Sequence, residues 1–150
     1  MPSFPGSILF CCDHNSVRSP MAEGMMKKFY GTRAYVQSAG VKGDSDVDGF
    51  AVAVCREIGV PLESHRSRSF EKMETWGDDL GTFDLIVALS PAAQRRAREL
   101  AEGTSVEVEY WPILDPTGLS ETREGQLATY RQTRDMIRER MISRFGEPSS

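Results

Sequence analysis

Cysteine is scarce in this chain of 150 residues: there are three, an odd number. That is too few for a disulfide framework, and free thiols are expected instead. A basic excess is also missing, since 18 Lys and Arg stand against 22 Asp and Glu for a net charge of −4. A protein built to hold phosphodiester backbones wants clustered cations, so nucleic acid is not an expected partner. The longest apolar stretches, Ile8 to Cys12 and Leu85 to Leu89, fall far short of the roughly 20 residues a membrane helix needs. No membrane partner is expected. The first ten residues carry Pro2 and Pro5 but no Lys or Arg; without the charged start of a secretory signal, a cytoplasmic location is expected. Repeats, low-complexity tracts and linkers are absent. What remains, 39% hydrophobic and 27% charged, suits one domain over residues 1–150, with a continuous core from about 7 to 145.

Short β-branched runs alternate with longer helical patterns, the signature of βαβ units. Ile8 to Cys12 is an unbroken apolar run, as in a central parallel strand buried on both faces. Ser19 and Pro20 then read as the cap and first residue of a helix carrying Met21, Ala22, Met25, Met26 and Phe29 to a stop at Gly31. Ala34 to Ala39 reads as a second strand. Asp44, Asp46 and Asp48 precede a helix with Phe50, Val54 and Ile58 on one face. Leu85 to Leu89 is the clearest buried strand, and Ser90-Pro91 opens a helix running through Leu100. Ser105 to Tyr110 suits an edge strand. Leu127 to Phe145 predicts a last amphipathic helix with Tyr130, Met136, Ile137, Met141 and Phe145 toward the core. The expected fold is α/β, a four-stranded, mostly parallel sheet wrapped by helices and joined by right-handed crossovers. In such sheets ligands bind where strands end, so chemistry is to be sought after Cys12, Ala39, Leu89 and Tyr110.

The first strand ends in Cys12, and the loop Asp13, His14, Asn15, Ser16 and Val17 leads to Arg18 and Ser19 where a helix begins. Successive amides of such a loop form a concave nest, and the helix start adds positive potential, so the loop can wrap an oxyanion. Arg18 would grip two oxygens with its planar fork. The same field favours Cys12 as thiolate, and Ser19 can donate to the sulfur. A thiolate facing phosphorus in this cradle is an activated nucleophile. Departure of the leaving oxygen needs a proton, which a positioned carboxylic acid supplies; Asp115, ahead of Pro116 in the loop after the last strand, is at the correct end of the sheet, while an Asp-Pro pair on its own more often starts a turn.

LFCCDHNSVRSPMAE at residues 9–23 resembles the signature of the low-molecular-weight protein tyrosine phosphatases, in which Cys-x5-Arg-Ser is followed by Pro-Met-Ala-Glu. The similarity extends from about Ser7 to Phe145 through QSAG (37–40), GVPLESHRSR (59–68), FDLIVALS (83–90) and LDPTG (114–118). The resemblance implies a three-layer sandwich whose four-stranded parallel sheet, in the order 2-1-3-4, carries helices on both faces. It implies Cys12 as nucleophile, Arg18 as phosphate clamp, Ser19 as thiolate stabiliser and Asp115 as general acid. Asp13, His14, Asn15, Ser16, Val17 and Ser19 would bind the substrate oxyanion, with Asn15, Ser38 and His65 in a network that keeps the loop rigid. No cofactor and no metal are implied; Cys11, Cys12, Asp13 and His14 are too crowded for a standard zinc pattern. The partner would be a phosphorylated protein or a small phosphomonoester.

The chain departs from the family pattern in places. His14 stands where the family usually has Gly; if that position needs a positive φ, His is among the side chains that tolerate it. Val17 replaces a second loop cysteine, so the intraloop disulfide of many relatives cannot form. Cys11 should point to the opposite sheet face from Cys12, and both it and Cys55 read as core. Thr117 and Gly118 follow Asp-Pro where aromatic residues commonly stack on a phenyl ring. DPTG, with Trp111 ahead and YRQTRDMI behind, also resembles the arsenate reductases of the same fold. Their relay cysteines correspond to Val17, Ser90 and Ala97, which leaves a reductase using a small-molecule thiol as one alternative reading, and a catalytically idle phosphoprotein-binding module as another.

Overall fold

The computed structural model describes residues 4–43 and 45–148; Asp44, first of the three aspartates before the second helix, lies outside them. Four strands, β1 (Ser7–Cys12), β2 (Tyr35–Gly40), β3 (Leu85–Ala88) and β4 (Glu107–Tyr110), pair in the order β2-β1-β3-β4, every pair parallel. The helices are α1 (Arg18–Tyr30), α2 (Gly49–Arg56), α3 (Phe70–Thr75), α4 (Pro91–Ala101) and α5 (Arg123–Phe145), with single 3₁₀ turns at Gly31–Arg33 and Leu80–Thr82. The sheet order and the flanking of both faces match the expected sandwich.

The alternation of side chains along β1 splits the interior in two. Ile8, Phe10 and Cys12 face the larger core with Met21, Met25, Val54, Tyr130, Ile137 and Met141 of α1, α2 and α5. Leu9 and Cys11 face Phe70, Met73, Ala93 and Ala97 of α3 and α4. Each buried Leu, Ile, Phe or Met contributes roughly 1.5–3 kcal/mol, which is why β1 and β3, apolar on both faces, take the two central places. At the edges, β4 keeps Glu107 exposed and β2 keeps Tyr35 exposed.

Two expectations need correcting, and one helix is new. Helix α1 starts at Arg18 with Val17 at its cap position and no side-chain cap; the Ser19 hydroxyl is occupied elsewhere, as described below, and Pro20 fits anyway because the first turn has no use for its missing N–H. Met136 is 40% exposed. The buried stripe of α5 runs Tyr130, Thr133, Arg134, Ile137, Met141, and Met136 lies a residue off it. Arg134 takes a place on that stripe because its Nη1 donates to Val54 O at 2.8 Å and to Glu57 Oε1 at 2.8 Å. The new helix is α3, in a stretch to which the sequence pattern assigns no element. Its six residues are capped by Ser69, and Phe70 and Met73 are its buried pair.

Because all strands are parallel, the segments 13–17, 41–43, 45–48, 89–90 and 111–118 gather at the carboxyl end of the sheet. The caps there are local chemistry: Asp48 accepts from Phe50 N and Ala51 N at the start of α2, and Ser90 accepts from Ala93 N at the start of α4 with Pro91 next. Both follow from the preference of short oxygen-bearing side chains for orphan amides.

Candidate active site

Cys12 ends β1 and is 3% exposed. Its Sγ lies 2.9 Å from Ser19 Oγ and accepts from Ser19 N at 3.4 Å. The next segment folds back over the sheet edge, and the strand-like bonds Val41 N to Cys12 O (3.0 Å) and Lys42 N to Asp13 O (2.8 Å) tie it to the connection after β2. Asp48 N bonds Ser16 O at 2.9 Å to close the other end. Of the five α-helices among the described residues, α1 alone has no side-chain N-cap. Its first amides are therefore left to the concavity in front of Cys12, the arrangement that holds anions.

Asn15 is the only described non-glycine residue at positive φ, +55°. The left-handed position of the loop is thus one residue later than His14, where the family usually has Gly; Asn is among the residues that reach this region most easily. Asn15 is wholly buried and fully bonded. Its Nδ2 donates to Ser19 Oγ and Ser38 Oγ, both at 2.9 Å, and its Oδ1 accepts from Arg68 N at 2.9 Å. Ser38 Oγ in turn donates to Glu23 Oε1 at 2.5 Å. His65 Nε2 lies 3.3 Å from both Asn15 O and Oδ1; both are acceptors, so Nε2 carries the proton. Burial pushes the His65 pKa below its ordinary value, against the opposing pull of Glu23. Ser67 Oγ donates to Asn15 O at 2.6 Å, and Arg68 Nε donates to Ser38 O at 3.1 Å.

Ser38 and His65 are therefore brought to Asn15. Glu23, Ser67 and Arg68 join them without having been singled out from sequence. The only signal for the last two is the polar run ending GVPLESHRSR, which gives no hint of which side chains turn inward. Gly40 is a further residue of this kind: a Cβ there would lie 2.7 Å from Asn15 N and 2.9 Å from His14 C, so only Gly lets β2 pass beside the loop.

Arg18 is 6% exposed. Its Nη1 donates to Ile113 O at 2.9 Å and Leu89 O at 3.2 Å, which fixes the guanidinium plane from behind. Its Nη2 approaches Asp13 Oδ2 at 3.4 Å and Asp115 Oδ2 at 3.7 Å. Asp13 is also held by Ser90 Oγ, which donates to Oδ1 at 2.7 Å. Asp115 accepts Thr117 N on Oδ1 at 3.0 Å, the turn that Asp-Pro favours. Beneath this turn, Tyr130 of α5 donates to Asp48 Oδ2 at 3.1 Å, and burial pushes its phenol up to about 12. Val17 packs into the larger core, and Ser16 meets the rest of the site through its carbonyl. His14 is exposed at the rim.

Cys11 and Cys55 take no part. Cys11 Sγ donates to Val87 O across the other sheet face, and burial, with Cys12 nearby, pushes its thiol well up. Burial likewise pushes Cys55 up to about 12. Among the described residues no three His, Cys, Asp or Glu side chains gather as a metal-holding group, and no helix is long and apolar enough to cross a membrane.

The model of the low molecular weight phosphotyrosine protein phosphatase family matches residues 7–145. The chain belongs to this family. Among its relatives, an arsenate reductase of Bacillus licheniformis is 33% identical over 141 residues, covering 94% of this chain and 95% of the reductase. Among solved structures, an arsenate reductase in the phosphate binding state superposes with a TM-score of 0.73 at 25% identity, over 93% of this chain and 98% of that one. The tyrosine phosphatase Wzb from Escherichia coli K30, in complex with sulphate, gives 0.73 at 22% identity over 95% and 100% of the two chains, a likeness of fold. The phosphatase family thus frames the cradle at Cys12, and both chemistries occur on its fold.

Proposed function

We propose that this member of the low molecular weight phosphatase family is a phosphomonoesterase acting on phosphotyrosine or similar aryl phosphates through a cysteinyl-phosphate. The observation that carries the reading is the meeting of Cys12, Arg18 and Asp115 at one strand end, with Asp115 Oδ2 3.7 Å from the Arg18 guanidinium. The Cys12 thiolate attacks phosphorus as the bond to the ester oxygen breaks, and Asp115 gives that oxygen its proton. Water then attacks phosphorus, Asp115 takes a proton back, and the sulfur–phosphorus bond breaks to release phosphate. Arg18 and the loop amides serve the charge that builds on the three remaining oxygens, which is where electrostatic catalysis gains most. A positioned acid is typically worth about 10²–10⁴-fold.

The test is hydrolysis of phenyl phosphate, with and without EDTA, by the wild type, Cys12→Ser and Asp115→Asn. The expected result is loss of turnover in the first variant, a fall of about 10²-fold or more in the second, and a phosphorylated Cys12 trapped in Asp115→Ala. An unlabelled thiol alongside undiminished turnover counts against the reading.

The arsenate reductase relatives and the DPTG segment favour a second reading, reduction of arsenate. In that chemistry Cys12 would displace an oxygen from arsenic as water; an external thiol would attack the Cys12 sulfur, releasing arsenite with the bonding electron pair and leaving a mixed disulfide, which a second thiol reduces to free Cys12 and an external disulfide. A relay inside the chain has no support, since Val17, Ser90 and Ala97 stand at the matching positions and Cys11 and Cys55 are buried away. Arsenite release that depends on glutathione, without phenyl phosphate turnover, would select this reading. Binding without turnover of either substrate would select a phosphoprotein-binding module.

A further inference from the structure

Arg18 has two carboxylate neighbours, and the chemistry above uses one of them. Asp13, immediately after the nucleophile, is nearer to Nη2 than Asp115 is, at 3.4 Å against 3.7 Å. Its carboxylate is held in place. Oδ1 accepts from Ser90 Oγ at 2.7 Å, Ser90 is itself fixed by accepting Ala93 N at the start of α4, and the Asp13 carbonyl accepts from Lys42 N at 2.8 Å. The side chain is not sealed off: it remains 40% exposed beside Arg18 Nη2.

The charges then decide what can enter. With Cys12 as thiolate, Arg18 already balances one negative charge, and Asp13 adds a second that the fold holds at the clamp. A fully ionised oxyanion is opposed by both and must compete with Asp13 for the Nη2 protons. An oxyanion that keeps an O–H is treated differently, because the hydroxyl donates to the carboxylate and turns a repulsion into a charge-assisted hydrogen bond.

We propose that Asp13 makes this cradle selective for an oxyanion that carries an O–H, such as a phosphomonoester monoanion or its inorganic analogue, over one that is fully ionised. The inference rests on the reading of the loop at 13–17 as an oxyanion cradle. Inorganic phosphate bears a proton at neutral pH and sulfate does not, so the two are suitable probes. Each is titrated by calorimetry at pH 7 and constant ionic strength into the full chain, as wild type, Asp13→Asn and Asp13→Ala. The wild type is expected to favour phosphate by about tenfold or more, the worth of one charge-assisted bond against one unpaired charge. Both variants should close the gap, chiefly by binding sulfate more tightly.

A gap that persists in both variants overturns the proposal, as does equal weakening of both anions, which would make Asp13 only a prop for Arg18. A wild type that binds neither anion overturns the proposal and the cradle reading together. If the preference is present and lost in the variants while phenyl phosphate is not turned over even at about pH 5, below the second ionisation of a phosphomonoester at about 6, the selectivity stands and only the phosphatase reading falls.

Discussion

Asn15 donates from Nδ2 to Ser19 Oγ at 2.9 Å, and that oxygen lies 2.9 Å from Cys12 Sγ. A hydroxyl has one proton. With Asn15 occupying one of its two acceptor lone pairs, Ser19 Oγ has its proton free for the sulfur, and donation in that direction stabilises a thiolate. This also explains why Ser19 does not cap α1.

Ser19→Ala should therefore weaken thiol chemistry more than folding. Hydrogen bonds to charged groups are worth about 1.5–3 kcal/mol, so alkylation of Cys12 by iodoacetamide at neutral pH is expected to slow by about tenfold to a hundredfold. Rates are read by mass spectrometry on the Cys12 peptide, with urea midpoints measured alongside. An unchanged rate would mean that the Ser19 hydroxyl does not serve the sulfur.

Replacing Asn15 should cost both stability and chemistry. Asn15→Ala orphans the Arg68 amide and removes a donor from two serines, at about 1–3 kcal/mol for each buried group left unmade, and it places Ala at φ +55°. Asn15→Asp keeps the acceptor for Arg68 but loses the donor toward Ser19 and Ser38. Urea unfolding should show the larger loss in the alanine variant, while both lose most of their Cys12 reactivity.

How much of this was legible varied with the range of the interaction. The strands β1 and β3, the loop from Cys12 to Ser19 and the place of Asp115 rest on local pattern, and sequence carries local pattern well. Ser38 and His65 could be named only through resemblance to a family. Arg68 and Ser67 were not distinguishable from a solvated polar run, because their partner Asn15 is 53 and 52 positions away. Ser19 reads both as the cap of α1 and as a donor to the Cys12 sulfur, two roles for one hydroxyl, and only the geometry shows that the sulfur has it. Met136 was misplaced because an Arg on the α5 stripe hides in an amphipathic pattern until its buried carbonyl partner is known.

Gly40→Ala should disturb the loop through the backbone. The added Cβ would crowd Asn15 N and His14 C, at 2.7 and 2.9 Å, as well as the Lys42 carbonyl, and none of these atoms ends a flexible side chain. Overpacking of this kind typically costs about 1–3 kcal/mol. The variant should melt earlier and lose the rise in melting temperature that inorganic phosphate is expected to give the wild type. Retention of that rise would show that β2 can move aside.

The α2–α5 contact should give the protein part of its acid sensitivity. Glu57 lies beside Arg131 and Arg134, and the hydrogen bond from Arg131, followed by that from Arg134, lowers its pKa from 4.5 to about 2. A carboxylate depressed in the folded state contributes stability above its unfolded value and loses it as pH falls toward the folded one. The window is therefore from about pH 4.5 down to about 2. Its side chain is 38% exposed, so solvent screening limits the effect to about 1 kcal/mol or less. Glu57→Gln should lower the urea midpoint at pH 7 and flatten its decline across that window, with the difference shrinking in 1 M salt, where the screening length is about 3 Å. Parallel acid limbs for the two proteins would place the sensitivity elsewhere.

Cys12 should also be unusually open to irreversible oxidation. A sulfenic acid is rescued when a nearby thiol condenses with it to a disulfide, and here the loop offers Val17 at the position where many relatives carry that thiol. Cys11 points to the other sheet face, bonded to Val87 O, and Cys55 is buried within α2. Hydrogen peroxide is therefore expected to carry Cys12 to the sulfinic or sulfonic acid, visible on its tryptic peptide, with only partial recovery of alkylatable thiol after dithiothreitol. Val17→Cys should convert the loss to one that dithiothreitol reverses. Full recovery of the wild type would mean that another reductant-sensitive adduct protects the sulfur, and would remove the consequence drawn from Val17.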